Sequence, residues 1–151
     1  MTYDEAVAWL YSTQLFGIKL GLENMRALCA ALGIDTSERP VYLHVAGTNG
    51  KGSVCAMLDS ILRASGRRVG LYTSPHLVTF RERIRLNGDM ISEGDAAAGL
   101  TRIREVVEGW EQAPTFFEVA TALALAWFAE QRAEVAGCRF PRRRSGRWVR
   151  V

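Results

Sequence analysis

The sequence predicts an α/β fold, a P-loop-type parallel sheet flanked by helices. An apolar run at 41–46 ends in a glycine-rich stretch, which opens a segment with apolar residues at helical spacing. A second apolar run follows at 69–73. A strand–helix–strand crossover of this length predicts right-handed, parallel pairing inside a sheet that helices cover.

Two helices are predicted before the first strand. Thr2 and Glu5 have the spacing of a capping box, so the first helix is expected to start at Thr2. A glycine-bearing link over 16–21 leads to a second helix over about 22–32. Gly33 is expected to end that helix.

The elements after the second strand are predicted from local patterns too. Residues 80–86 alternate apolar and charged side chains up to Asn87-Gly88, which indicates a strand and a hairpin turn. Ser92 is expected to cap a helix that runs toward residue 110. A long helix over 115–129 is apolar on nearly all sides, so it is expected to lie deep against the sheet.

The seven residues 47–53, Gly-Thr-Asn-Gly-Lys-Gly-Ser, connect the first strand to the helix after it. Glycines let successive backbone N–H groups turn toward one concavity, and a helix N-terminus directs its positive end there. Lys51 adds a charge for the outer phosphates, and the Ser53 hydroxyl can hold a magnesium ion. The stretch therefore predicts a phosphate-binding loop.

This loop departs from the standard form G-x-x-x-x-G-K-[ST]. Val45 stands five residues before Gly50, and Gly52 separates Lys51 from Ser53. The alternative interpretation is a glycine-rich turn with a solvated lysine.

The loop variant G-T-N-G-K-G-S resembles the nucleotide loop of the Mur ligase superfamily, the ATP-dependent amide ligases. Within it, the chain is most similar to the folylpolyglutamate synthase/dihydrofolate synthase family. The resemblance covers residues 1 to about 135 and implies the Mur ligase central ATPase domain, here truncated. Three further stretches match the family in order: Gly21–Asn24, Thr73–Leu77 with Phe80–Ile84, and Thr115–Glu118.

The resemblance implies carboxylate activation with ATP and Mg²⁺ as cofactors. ATP would phosphorylate a carboxylate of a folate or of dihydropteroate, and the amine of L-glutamate would displace the phosphate. Such chemistry requires positioning and charge neutralisation more than a protein nucleophile. Lys51 is the expected catalytic residue. The residues expected to bind ATP are Gly47, Thr48, Asn49, Gly50, Lys51, Gly52 and Ser53.

The resemblance also implies three magnesium ligands, Ser53, Ser74 and Glu118, all with the hard oxygen donors that this ion prefers. Ser74 before Pro75 has in addition the pattern of a helix N-cap. Glu118 stands three residues after Thr115, so it could close a capping box. Both roles of Glu118 stay open.

The histidines and the arginines at 81–85 are expected to have structural roles. His44 is expected to be a satisfied core residue, and His76 a fixed loop residue rather than a base. Arg81, Arg83 and Arg85 are expected to form one solvated strand face, with a pterin or polyglutamate anion as the alternative occupant.

The composition, 48% apolar and 23% charged residues, is typical of a soluble globular protein. No apolar stretch long enough for a membrane span and no signal-peptide pattern occurs, so no membrane partner is expected. Three cysteines without metal-type spacing favour a reduced cytoplasmic location. The net charge of +3 is due to the C-terminal tail. Without its six arginines, 13 basic residues face 16 acidic ones, a net charge of −3, so no nucleic-acid partner is expected.

The resemblance ends after Val135. The family continues with a buried strand, a glycine-rich stretch, a metal-binding histidine, an activating lysine and a second domain. We therefore expect an incomplete ATP-binding domain over 1–136 and a divergent, disordered arginine-rich tail over 137–151. A truncated or frameshifted product that binds ATP weakly and does not ligate by itself is expected. An open sheet edge would favour oligomers or aggregates, and the oligomeric state stays open.

Three other functions are alternatives. A different Mur-type ligase acting on cell-wall precursors would share the loop but not the Ser-Pro-His-Leu stretch. A generic P-loop kinase or NTPase would show the standard loop spacing. A nucleic-acid-binding fragment with an arginine tail would show an affinity that falls steeply with salt.

Overall fold

The structure is a computed structural model that describes residues 1–16, 22–35, 37, 40–45, 49–138 and 149–150. The residues group into two compact units, Met1–Asp35 with Ser92–Trp127, and Thr36–Ile91 with Phe128–Val151. The first unit is helical, and the second contains the sheet.

Five helices and six strands are present in the described residues. The helices are α1 (Tyr3–Ser12), α2 (Glu23–Leu32), α3 (Lys51–Ala64), α4 (Glu93–Val107) and α5 (Phe116–Glu130). The strands are β1 (Val41–His44), β2 (Val69–Tyr72), β3 (Ile84–Leu86), β4 (Asp89–Met90), β5 (Val135–Cys138) and β6 (Val149–Arg150). Short 3-10 turns cover Thr13–Phe16 and Phe80–Arg83.

The helices of the first unit begin and end where local sequence signals place them. The Thr2 N–H donates to the Glu5 carboxylate at 2.8 Å and the Glu5 N–H donates to the Thr2 hydroxyl at 3.3 Å, which confirms the capping box. Gly33 ends α2 in the left-handed region at φ 68°, as predicted. Ser92 caps α4 by accepting the Asp95 N–H at 2.9 Å. Helices α1 and α2 both pack on α4.

The second unit is built on one mixed sheet with the order β4-β3-β2-β5-β1-β6. Strands β2, β5, β1 and β6 run parallel, while β3 and β4 form an antiparallel hairpin on β2. Helix α3 packs on β2 and β5. The predicted α/β class, a sheet flanked by helices, is confirmed. Strands β1 and β2 run parallel in one sheet, as predicted, but they do not pair with each other, because β5 lies between them.

Strand β5 occupies the centre of the sheet. Val135 is in register with Val41 of β1 on one side and with Val69 of β2 on the other. The boundary predicted at residue 136, between the ATP-binding domain and the tail, therefore falls inside β5. The change of composition there does not prevent pairing, because strands pair through backbone groups that every residue type except proline provides in full. The pair Val149–Arg150 adds to β1 as well. The rest of the expected disordered tail, 139–148 and 151, lies outside the described residues.

Helix α3 carries apolar residues at helical spacing, namely Val54, Leu58, Ile61 and Leu62, and of these Ile61 is 66% exposed. The buried positions of the helix are Cys55 and Asp59, one turn apart. Asp59 tolerates burial because its Oδ2 is paired with Arg63.

Two further features of the core bear on the predictions. His44 is buried on β1, as expected of a core residue. The ring of Phe128 lies so close to Gly70 that a Cβ there would come within 2.8 Å of it. Of the helices in the described part of the chain, none is both long and apolar enough to cross a membrane.

Candidate functional site

The described half of the glycine-rich loop opens directly into α3. Gly50 is the N-cap residue, in the left-handed region at φ 74°, and no side chain of the described residues caps the helix. No acidic residue stands in the first turn. The first turn of a helix leaves backbone N–H groups without intrahelical acceptors, and its dipole favours an anion. Gly47 and Thr48 lie outside the described residues.

The space around this helix start is open. A Cβ built on Gly50 or Gly52 would meet no atom of the described residues within 4 Å. Gly52 and Ser53 are exposed, and Lys51 is half-buried at the first helical position. Asn49 through Ser53 therefore fit a phosphate group, because they combine open space, a cation and N–H donors at one helix terminus.

Ser74 reaches the same edge of the sheet as the loop. It follows β2, whereas the loop follows β1, and both strands run parallel to β5 between them. The carboxyl ends of β1 and β2 are thus two strand spacings apart, about 10 Å. Ligands bind at this edge in open α/β sheets.

The interpretation of Ser74 as a helix N-cap is wrong. The Ser74–Pro75 peptide bond is cis, and the next helical turn starts only at Phe80. The reason is the position of Glu82, whose carboxylate accepts the backbone N–H groups of Leu77, Val78 and Thr79 at 2.8–3.0 Å. These bonds hold the chain in an irregular loop and lower the pKa of Glu82 to about 2.

His76 is held in this loop. Its Nδ1 accepts a hydrogen bond from the Arg83 Nε at 2.7 Å, and its ring packs edge-on to Phe80. Burial, and to a smaller extent the Arg83 charge, lower the pKa of His76, while Glu82 opposes this. The prediction of a fixed loop residue is confirmed.

The three alternating arginines do not form one solvated face. Arg81 donates to the Ile91 carbonyl at 2.6 Å, Arg83 to His76, and Arg85 to the Glu82 carbonyl at 3.3 Å. All three are half-buried. The prediction fails because residues 80–83 form a 3-10 turn, in which side chains two positions apart do not share a face.

Glu118 is a buried carboxylate in the first turn of α5. Its Oε2 accepts the Thr115 N–H at 2.8 Å and the Thr115 hydroxyl at 3.0 Å, and the Glu118 N–H donates back to that hydroxyl at 3.3 Å. The capping box is therefore present. A third donor, the Asn24 side-chain amide, lies 3.5 Å from the same oxygen. Sequence reasoning singled out the stretch that contains Asn24 but gave it no role.

The structure thus separates the predicted site residues into two sets. Asn49 to Ser53 and Ser74 lie at one edge of the sheet in the second unit, and Glu118 lies in the helical unit. Within the described ranges, no group of three or more His, Cys, Asp or Glu side chains could hold a metal ion. The predicted ligands Ser53, Ser74 and Glu118 are two hydroxyls and one carboxylate, so they are not a group of this kind.

Comparison with known proteins gives consistent matches over most of the chain, although no protein-family model matches it. The dihydrofolate synthase/folylpolyglutamate synthase of Bacillus subtilis is 42% identical over 132 residues, which are 85% of this chain and 30% of that protein. The Escherichia coli protein of the same name is 42% identical over 118 residues, 78% of this chain and 27% of that protein. The chain therefore spans about a third of the length of these relatives.

Solved structures agree with these matches. The folylpolyglutamate synthetase from Lactobacillus casei has a TM-score of 0.83 at 34% identity, covering 92% of this chain and 36% of that one. An FPGS complex with AMPPCP and folate has a TM-score of 0.81 at 33% identity, covering 92% and 35%. An E. coli protein in complex with DHPP and ADP has a TM-score of 0.80 at 36% identity, covering 89% and 32%.

Proposed function

We propose that this chain forms the nucleotide-binding part of an ATP-dependent ligase. The premise is that the chain belongs to the folylpolyglutamate synthase/dihydrofolate synthase family and matches the N-terminal third of its members. The ligase adds L-glutamate to a folate, or to dihydropteroate to give dihydrofolate. Relatives that bind AMPPCP with folate, or ADP with DHPP, support both the nucleotide and the folate-type substrate.

The proposed reaction has two steps. A carboxylate oxygen of the folate-type substrate attacks the γ-phosphorus of ATP, the bond to the β-phosphate oxygen breaks, and ADP leaves with an acyl phosphate formed. The glutamate amine then attacks the acyl carbon, the C–O bond to phosphate breaks, and inorganic phosphate and an amide result. The amine loses one proton in this step. No protein nucleophile is required, so the protein contributes positioning and charge neutralisation.

The loop residues provide most of this positioning and charge neutralisation. The backbone N–H groups of Thr48 to Ser53 cradle the phosphates, and the Lys51 ammonium offsets the charge that develops on the transferred group. Gly50 and Gly52 add no side chain of their own to the start of the helix, and a Cβ at either position would meet no atom of the described residues within 4 Å.

Magnesium, when bound, would supply positive charge that neutralises the outer phosphates. Ser53 and Ser74 would each offer a hydroxyl oxygen, and Glu118 a carboxylate oxygen. The hard oxygen donors of these residues suit the ion. Folate or dihydropteroate and L-glutamate are the proposed substrates, and the cytoplasm is the proposed location.

One observation carries this proposal, namely the start of α3. A left-handed glycine, a lysine and an uncapped helix terminus follow a parallel strand in a chain whose fold matches these ligases. Calorimetric titration of the 151-residue chain with ATP, ADP and AMP in the presence of Mg²⁺ tests it. We expect ATP and ADP to bind at least about tenfold more tightly than AMP, since the loop recognises the outer phosphates. Equal affinities for the three nucleotides would contradict a phosphate-binding loop.

A further inference from the structure

Apart from Thr115, which directly precedes α5, Asn24 is the one described residue that bonds to the Glu118 carboxylate. Its Nδ2 lies 3.5 Å from Glu118 Oε2, across 94 positions of sequence. Both residues belong to the first unit. The contact joins the first turn of α2 to the first turn of α5, and Glu118 itself is only 8% exposed.

The two oxygens of Glu118 are used unequally. Oε2 is within hydrogen-bond distance of three donors, two from Thr115 and one from Asn24. Among the described residues, no donor lies within hydrogen-bond distance of Oε1. A carboxylate offers about four lone-pair directions, so donors gathered on one oxygen leave the other available to a cation.

We propose that Asn24 is a positioning residue, which holds the Glu118 carboxylate so that Oε1 is the oxygen available to the divalent cation. This inference rests on the proposed function, because it requires that Glu118 bind the metal that accompanies ATP. A donor that bonds to a metal-binding carboxylate orients it and stabilises the rotamer in which it binds the metal.

Thr115 alone does not fix the carboxylate in this way. Both of its donors come from the residue that caps α5, so they hold the side chain from a single side. Asn24 approaches from a second helix and restrains rotation of the carboxylate group. Arg102 of α4 donates to the Leu32 carbonyl at 3.1 Å, at the other end of α2 and away from Asn24.

Two variants separate positioning from general support of the helix. Asn24→Leu keeps the side-chain volume and removes the amide donor. Arg102→Met loosens the C-terminal end of α2 and leaves the contact between Asn24 and Glu118 in place. Glu23→Gln changes an exposed neighbour on the same turn and serves as the charge control.

The first measurement needs no metal. In metal-free protein, we expect Glu118→Gln to shift the NMR resonances of the Asn24 side-chain amide, because that amide loses a charged acceptor. Unchanged resonances would overturn the inference whatever the nucleotide does.

The second measurement compares ATP affinity with and without Mg²⁺ for each variant. Asn24→Leu is expected to leave the affinity for ATP without Mg²⁺ within about twofold of the parent. It is expected to raise the Mg²⁺ concentration that gives half of the full increase in ATP affinity about 3- to 10-fold. Arg102→Met and Glu23→Gln are expected to leave that concentration unchanged. Mn²⁺ binding in the presence of ATP, followed by electron paramagnetic resonance, should likewise be weaker in Asn24→Leu than in Arg102→Met and Glu23→Gln.

The outcomes distinguish this inference from the proposed function. If Glu118→Gln weakens the Mg²⁺ effect but Asn24→Leu does not, the positioning role is refuted and the metal ligand stands. If Glu118→Gln has no effect either, or the parent chain binds no nucleotide, the proposed metal role and this inference fail together. An equal rise for Asn24→Leu and Arg102→Met would overturn the inference as well, because it would show that α2 only supports the fold.

Discussion

Arg63 Nε donates to Asp59 Oδ2 at 2.9 Å, one turn apart on the helix that carries the proposed nucleotide loop. The two partners differ in exposure, with 8% of the Asp59 side chain and 40% of the Arg63 side chain open to solvent. Arg63 also lies 3.4 Å from the Asn87 carbonyl in the β3–β4 turn. The pair therefore links α3 to the hairpin beside β2.

This asymmetry predicts which partner matters more for stability. Arg63→Met leaves a buried carboxylate without its cation, so we expect the free energy of unfolding to fall by about 2–3 kcal/mol. Asp59→Ala leaves only a half-exposed guanidinium that water can reach, and we expect a loss of about 1 kcal/mol. Urea unfolding measures both. The exposed pair of Arg67 and Glu134 provides a control, and Arg67→Met should cost less than about 1 kcal/mol. Equal losses for Arg63→Met and Asp59→Ala would contradict the argument.

The loop that follows Ser74 should weaken in acid. The three N–H donors give Glu82 a pKa of about 2 in the folded protein, against an ordinary value of 4.5. Because the folded pKa is the lower one, the contribution of Glu82 to stability is complete above pH 4.5 and disappears as the pH falls toward 2. Between these values the free energy of unfolding of Glu82→Gln should depend less steeply on pH than that of the parent. Parallel curves for the two proteins would show that these bonds contribute nothing.

The contact between Gly70 and Phe128 predicts a sharp steric effect. An alanine Cβ at position 70 would lie 2.8–3.0 Å from the aromatic ring, so Gly70→Ala is expected to destabilise the protein by about 1–3 kcal/mol. Gly137→Ala is the matched strand control, since its Cβ would lie 3.4 Å from a Leu71 methyl group, an ordinary contact. Thermal unfolding of Gly70→Ala, Phe128→Leu and the double variant tests this. The double variant should recover part of the loss, and strict additivity would argue against a clash.

Helix α4 depends on its cap. The Ser92 hydroxyl accepts the Asp95 N–H at 2.9 Å, so Ser92→Ala should lower the free energy of unfolding by about 1 kcal/mol. Ser92→Gly should cost only a few tenths of a kcal/mol, because glycine leaves the N–H groups open to water. Denaturant unfolding distinguishes the two. A larger loss for glycine than for alanine would mean that backbone entropy, rather than the cap, dominates at this position.

The features predicted correctly from the sequence are local ones. The caps at Thr2 and Ser92 and the stop at Gly33 each depend on residues within one helical turn. The hairpin turn at Asn87-Gly88 is equally local, and both residues have positive φ as such a turn requires.

The errors concern features that depend on distant partners or on short ambiguous patterns. Alternation over residues 80–83 fits a strand, but the Glu82 carboxylate stabilises a 3-10 turn there instead. The position of β5 between β1 and β2 depends on pairing across the whole chain, which spacing along the sequence does not reveal. For the candidate site, the loop motif predicted a helix that starts beside Lys51, and α3 does begin there, while the role of Lys51 stays a prediction. The contact of Asn24 with Glu118 spans 94 positions and required the structure.

The most direct test of the account is the affinity of the chain for Mg²⁺-ATP when Lys51 loses its charge. Lys51→Met should weaken binding at least about tenfold, since a charged partner of the outer phosphates is removed. Arg67→Met, which removes an exposed cation in the turn that follows α3, should bind within about twofold of the parent. Equal affinities of the Lys51→Met variant and the parent, measured by calorimetry, would contradict the proposal that this loop binds the nucleotide.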